Sequence, residues 1–168
     1  MLKDLTKNHK IFVADTFNVP TELRTPNFTI RVLRETDTTK DYEAVIANAD
    51  KIRGIFGPYE ADWPTSDLTP EQDKKDLAWH ESEFDRRTSF TYTVVTPDET
   101  RCLGCVYIFP SPKPNFDAII FLWTRSDSTI TKSIDSELFN TVNNWLAQSW
   151  PFKKIAFPGR TIPWTNWI

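Results

Sequence analysis

Residues 116–124 read Phe-Asp-Ala-Ile-Ile-Phe-Leu-Trp-Thr, a nearly unbroken apolar run. A strand exposed on one face alternates apolar and polar side chains, whereas one covered on both faces is apolar throughout. This stretch therefore belongs in the middle of a sheet with layers above and below. Its wholly apolar part, Ala118 to Trp123, is far short of the ~20 residues a membrane span needs. Upstream, Ser89–Thr96 (SFTYTVVT) and Arg101–Phe109 (RCLGCVYIF) are β-rich and joined by the polar Pro97-Asp98-Glu99-Thr100, a hairpin signal. Downstream, Ile134, Leu138, Val142, Trp145 and Leu146 mark a helix from about Thr131 to Ser149, ended by Trp150-Pro151. Lys153–Phe157 (KKIAF) then reads as a last short strand. A hairpin feeding a central strand, followed by a crossover helix and a parallel partner, describes a mixed sheet.

Two more helices precede the hairpin. Tyr42, Val45, Ile46, Ala49 and Ile52 form one apolar stripe, with Thr38 or Thr39 able to cap its start and Gly54 at its stop. Thr69-Pro70-Glu71-Gln72 is a capping box with Pro at the first helical position. The helix it opens runs to about Arg87, with Leu77, His80 and Phe84 on one face. Asn27–Leu33 alternates and reads as a half-buried strand. Residues 1–26 lack periodicity and are expected to form an N-terminal arm, with residues 27–168 as a single domain. The fold class is α/β (α+β), a mixed sheet in the order β-α-α-β-β-β-α-β.

Composition removes several functions. The four glycines, Gly54, Gly57, Gly104 and Gly159, form neither a Rossmann fingerprint nor a P-loop. A net charge of −3 leaves no global basic surface for nucleic acid or anionic lipid. The N-terminus lacks the apolar region of a signal peptide, so the cytoplasm is the expected location. Cys102 and Cys105 form a C-x-x-C, but strand alternation would point the two thiols to opposite faces. His9 and His80 have no spacing for a zinc site, so no metal is expected and the cysteines read as structural.

The order of elements, with the central strand and the helix after it, resembles the GNAT N-acetyltransferases over roughly Asn27 to Phe157. The phrases DLAWHESEFDRR (76–87), GCVYI (104–108) and NNWLAQSWPF with PGR (143–152, 158–160) resemble a poorly characterised bacterial GNAT-like branch. The resemblance implies acetyl-CoA as co-substrate, in a V-shaped opening between the strands at 116–124 and 153–157. It places pantetheine contacts at Leu122, Trp123 and Thr124. The pyrophosphate would meet the segment from Arg125 to Lys132, with Ser128, Thr129, Ile130 and Thr131 between, where a helix N-terminus offers free N–H groups to an anion.

Two departures from the family stand out. Its motif there, Gln/Arg-x-x-Gly-x-Gly/Ala, has glycines, and this chain has none from Val106 to Pro158. Hydroxyls of Ser128, Thr129 and Thr131 and the charges of Arg125 and Lys132 offset part of that loss, while Asp127 opposes an anion; Asp127 or Ser128 also reads as an ordinary helix cap. The C-terminus is shortened, and Trp164 and Trp167 in the tail either fold back over the last strand or make a homodimer contact, fold-back being favoured.

The resemblance implies an acyl-CoA-dependent N-acetyltransferase acting on an amine of a small molecule or peptide; the alternative is a catalytically degenerate GNAT-fold binding module. Acetyl transfer requires a base for the ammonium proton and an acid for the leaving thiolate. Glu60, Glu81 and Glu83 are candidate bases and Tyr92 and Tyr107 candidate acids, none singled out, and each also reads as a solvated carboxylate or a sheet aromatic. Phe56, Tyr59 and Trp63 lie where the family's acceptor enters.

Overall fold

The hairpin and the apolar run sit at the centre of one six-stranded sheet. A computed structural model describes residues 1–7, 11–127 and 134–168. Strands β1 (Glu22–Arg24), β2 (Thr29–Val32), β3 (Phe90–Val95), β4 (Cys102–Pro110), β5 (Ala118–Thr124) and β6 (Ile155–Ala156) lie side by side in chain order. All neighbours are antiparallel except the final pair, where β6 runs parallel to β5. Helices α1 (Thr38–Ile52) and α2 (Pro70–Asp85) join β2 to β3, α3 (Ile134–Ser149) joins β5 to β6, and the short α4 (Trp164–Trp167) follows.

Each face of the sheet carries its own core. On one face Tyr92, Ile108, Ile120 and Leu122 pack with Leu138, Val142, Trp145 and Leu146 of α3. On the other, Tyr107, Phe109, Phe121 and Trp123 pack with Ala44, Val45 and Ile52 of α1 and with Phe56 and Trp167. That two-sided cover is why β5 is apolar at nearly every position. The α2 start forms as its residues dictate: Thr69 Oγ1 accepts from the Gln72 N–H at 3.2 Å while the Gln72 side chain accepts from the Thr69 N–H at 2.9 Å.

Three expectations change. The opening segment contributes β1, whose Glu22, Leu23 and Arg24 pair with Arg31, Ile30 and Thr29. This is an edge strand held by backbone bonds, and with only Leu23 packed on the core it leaves no alternating signature. The α1 stripe is rotated: Ile46 is exposed, whereas Asp41 and Asn48 are buried. Finally, Cys102 and Cys105 do not face opposite ways. Thr93 pairs with Cys105 and Val94 with Gly104, but Val95 pairs with Cys102, so Leu103 is an extra residue in a bulge. The bulge shifts the alternation by one. Leu103 joins the α3 core and both thiols join the α1 core.

Candidate active site

Two recesses lie on either side of a layer of aromatic rings, one of them beside β5. The first arises because β6 pairs with β5 only at Ala118–Ile155 and Ile119–Ala156. From Ile120 onward the two chains diverge, leaving a cleft of about 460 Å³ between Ile120–Leu122 and Pro158–Arg160. Trp164 of α4 closes one side, its ring 6.2 Å from Phe121. A Cβ on either Gly57 or Gly159 would come within 2.5 Å of that indole, so these two glycines make the slot that holds it. Arg53 and Arg160 line the same cleft. The Arg160 guanidinium bonds both oxygens of Asp135, at 2.8 and 2.9 Å, and Asp135 also accepts from Thr124 Oγ1 at 3.3 Å. This ties the end of β5, the first turn of α3 and the tail into one wall.

Of the residues expected to hold pantetheine, Leu122 lines the cleft. Trp123 faces away, its indole N–H donating to Tyr107 Oη at 3.0 Å, and Thr124 is engaged with Asp135. Arg125, expected to supply charge to pyrophosphate, turns inward. Its five N–H groups donate to Asp127, Glu43 and the Cys102 carbonyl, and it is 1% exposed. A guanidinium has only five donors, so none remains for phosphate. Asn48 holds the Ser126 N–H at 2.7 Å, which explains why a polar residue is buried on α1. Ser128, Thr129, Ile130, Thr131 and Lys132 lie outside the described residues. Arg53 and Arg160 escaped the sequence reading as cleft cations; the only signal was the Pro158-Gly159-Arg160 phrase.

The second recess is a narrow cavity of about 30 Å³ on the α1/α2 side, walled by Asp41, Asp73, Tyr107 and His80 and by Phe56 and Trp63. Phe56 touches Tyr107 (5.0 Å) and Phe121 (5.2 Å), so one pair of rings separates cavity from cleft. Asp41 and Asp73 each sit one turn into their helix, where an acid suits the dipole, but both point inward and are buried. Burial drives the Asp41 carboxyl well above its ordinary pKa. Burial, and then the adjoining Asp41, pushes Asp73 up to about 8. Two carboxyls in one dry site cannot both ionise readily, so the pair holds a proton near neutrality. Burial also pushes the Tyr107 hydroxyl well up.

The other candidates sort by placement. Glu60 lines the cavity, its pKa raised by burial. Glu81 is taken by Arg34 and the Glu35 N–H, and Glu83 by Arg86 and Thr88. Tyr92 lies on the opposite face, donating to the Pro20 carbonyl at 2.6 Å. Phe56 and Trp63 reach the cavity, whereas Tyr59 accepts from Trp167 Nε1 at 2.9 Å. Trp167 is 2% exposed, so the tail covers its own chain. Among the described residues one group, Asp41, Cys102 and Cys105, brings metal-type donor atoms within 4.8 Å of one another. They serve one another and the backbone: Cys105 Sγ donates to Asp41 at 3.2 Å and Cys102 Sγ to the Gly104 carbonyl at 3.5 Å.

His80 gives the cavity a pH dependence. Burial holds its pKa down to about 3, and its Nδ1 is 3.0 Å from Thr91 Oγ1. The folded state keeps the imidazole neutral while the unfolded chain takes a proton near pH 6.5. This contribution to stability is therefore complete above pH 6.5 and lost as pH falls toward 3. Urea unfolding at neutral pH and at about pH 4.5 is expected to show an acid-induced loss about 3 kcal/mol smaller in His80→Gln than in the wild type. Equal losses would mean that His80 is not held neutral.

No family model matches the chain, and no curated protein sequence does. Solved structures do match. A ribosomal-protein-S5-alanine acetyltransferase from Vibrio fischeri aligns at TM-score 0.59 with 17% identity, covering 76% of this chain and 67% of its own. A ribosomal L7/L12 alpha-N-protein acetyltransferase, RimL, aligns at 0.58 with 14% identity, covering 81% and 69%. The microcin C7 self-immunity acetyltransferase MccE, in complex with acetyl-CoA and AMP, aligns at 0.54 with 14% identity, covering 81% and 73%. The chain has the fold of the GNAT acetyltransferases. No helix among the described residues is long and apolar enough to cross a membrane.

Proposed function

We propose that this chain is an acyl-CoA-dependent N-acetyltransferase acting on an amine of a small molecule or peptide. The observation that carries the reading is the divergence of β5 and β6 at Ile120, which opens a cleft along the free edge of the central strand with two arginines on its walls. Acetyl-CoA would supply the acetyl group there. Its fit rests on an unpaired strand edge for amides, Arg53 and the Arg160 N–H groups not engaged by Asp135 as donors to phosphate, and Trp164 and Phe121 as apolar walls.

The chain's own residues divide the remaining work between the recesses. In its ionised form, which grows as pH rises toward the Asp73 value of about 8, the Asp41–Asp73 pair accepts the proton an ammonium must lose before its nitrogen attacks. Tyr107, held by Trp123, places a hydroxyl beside that pair. Phe56 and Phe121 pack edge to face at 5.2 Å between the two recesses.

A second reading, a binding module without catalysis, draws on one observation: Arg125 and Asn48 fix the start of the segment after β5 by internal bonds rather than leaving it open to an anion. Thiol release from acetyl-CoA across a panel of small amines and peptides separates the two. The enzyme reading expects amine-dependent release that saturates with acceptor. Acetyl-CoA binding with release no faster than the enzyme-free blank favours the module.

A further inference from the structure

Trp164 occupies a place that the chain is shaped to give it. It sits on α4 one turn before Trp167, and both indoles pack on the α1 side of the sheet. Trp167 is the anchor: it is 2% exposed and donates from Nε1 to Tyr59 Oη at 2.9 Å. Trp164 is only partly buried, its ring inclined 22° to that of Phe121 and left on the wall of the β5–β6 cleft. Gly57 and Gly159 come from separate loops, and a Cβ on either would meet this indole at 2.5 Å. Their left-handed backbones, with φ of 52° and 78°, would by themselves admit asparagine, but the indole leaves no space for its side chain. Two loops thus lack side chains where one ring must stand.

The ring stands at the narrow end of the cleft. The last β5–β6 pair is Ile119–Ala156, and Phe121 is the second residue beyond it. From Ile120 the β5 edge on this side runs unpaired to Thr124, which Asp135 ties to Arg160. The phosphates of an acyl-CoA require the open, solvated end, because burying such charge is costly. Its thioester end then points along the free edge of β5 toward the apolar side chains of Ile120, Phe121 and Trp164. An acyl chain longer than acetyl has to continue past that point. The Trp164 indole stands across the way, stacked on Phe121, with the Tyr59 ring 6.3 Å behind it. Rings packed in such a layer leave extra methylenes no room without displacing a side chain.

We propose that Trp164 sets the acyl specificity of the cleft: it is the wall against which the acyl group ends, so that acetyl is admitted and butyryl or longer linear groups are rejected. The inference rests on the acyl-CoA reading of the cleft and deepens it by naming the size of the group carried.

The test is calorimetric binding of acetyl-CoA, hexanoyl-CoA and CoA to the whole chain, without an acceptor amine. CoA lacks the acyl group, so each thioester is expressed relative to CoA on the same protein, which cancels any general weakening of the site. On that scale the wild type is expected to bind hexanoyl-CoA at least about tenfold more weakly than acetyl-CoA, since one misfitted methylene in an apolar pocket already costs about tenfold. In Trp164→Ala the difference should vanish or reverse. If that variant loses the wild-type circular dichroism, Trp164→Leu, which keeps a smaller apolar side chain in the slot, replaces it with the same direction expected. The proposal is overturned by a wild type that binds both thioesters alike, or by a folded variant that still rejects hexanoyl-CoA as strongly. Acetyl-CoA binding alongside either result leaves the acyl-CoA reading standing, whereas no binding of any of the three overturns both.

Discussion

Gly104→Ala is expected to cost about 3–5 kcal/mol, enough to unfold much of a domain whose whole stability is about 5–15 kcal/mol. A Cβ at this position would lie 2.0 Å from the Trp123 carbonyl oxygen and 3.1 Å from the Thr124 Cα. Both are backbone atoms of the adjoining strand, and Gly104 pairs with Thr124 in the sheet's interior. No side chain can rotate to make room. Relief requires β4 and β5 to separate, which breaks the bond from the Arg125 N–H to the Leu103 carbonyl at 2.9 Å. Separation would also displace the end of β5, where the cleft begins. Thermal and urea unfolding of the variant measure this directly. A melting temperature within a degree or two of the wild type would mean that the strands do not approach so closely.

Arg125→Met is expected to cost about 3 kcal/mol, at the lower end of what breaking a buried ion pair costs. The guanidinium bridges Glu43 on α1, Asp127 after β5 and the Cys102 carbonyl on β4, and its pKa is raised by Asp127 and then by Glu43. Asp127 is in turn held well below the usual carboxylate range by Arg125. Without the cation, Glu43 can turn to water, because its side chain is 57% exposed. The Cys102 carbonyl loses the Arg125 donor, and Asp127, 31% exposed, is only partly relieved. Arg125→Lys should recover little of the loss, since an ammonium cannot bond two carboxylates in one plane and a carbonyl as well. Urea unfolding of both variants is the measurement; a lysine variant as stable as the wild type would reduce the network to a simple charge effect.

Much of the fold was legible because the strongest signals are local. Thr69-Pro70-Glu71-Gln72 forms its cap from neighbours in sequence, and FDAIIFLWT needs only two covered faces to be read as central. What escaped depends on partners distant in sequence. β1 exists because β2 offers it an edge, and the shared face of Cys102 and Cys105 depends on one extra residue in β4 opposite Val94 and Val95. The site was less legible for the same reason. Asp41 and Asp73 sit where acids ordinarily favour a helix dipole, so nothing local marks them as buried and facing each other. Arg125 falls where a phosphate-binding cation is expected, and only the folded positions of Glu43 and Asp127 show its charge to be spent. Of the aromatic loop, Phe56 and Trp63 reach the cavity while Tyr59 supports the tail.

The glycines carry a similar lesson. None lies between Val106 and Pro158, where a phosphate loop would use them. Gly57 and Gly159 instead hold Trp164 against Phe121 along the cleft, and Gly104 lets β4 and β5 meet. The cofactor cleft is therefore bounded by the open edge of β5 rather than by a glycine-rich loop.

Thermal denaturation with and without acetyl-CoA tests that claim most directly. A ligand at ~100 times its dissociation constant stabilises the folded state by about 2.7 kcal/mol. The cleft predicts a concentration-dependent rise in melting temperature toward that gain. An unchanged melting temperature at millimolar acetyl-CoA would contradict it.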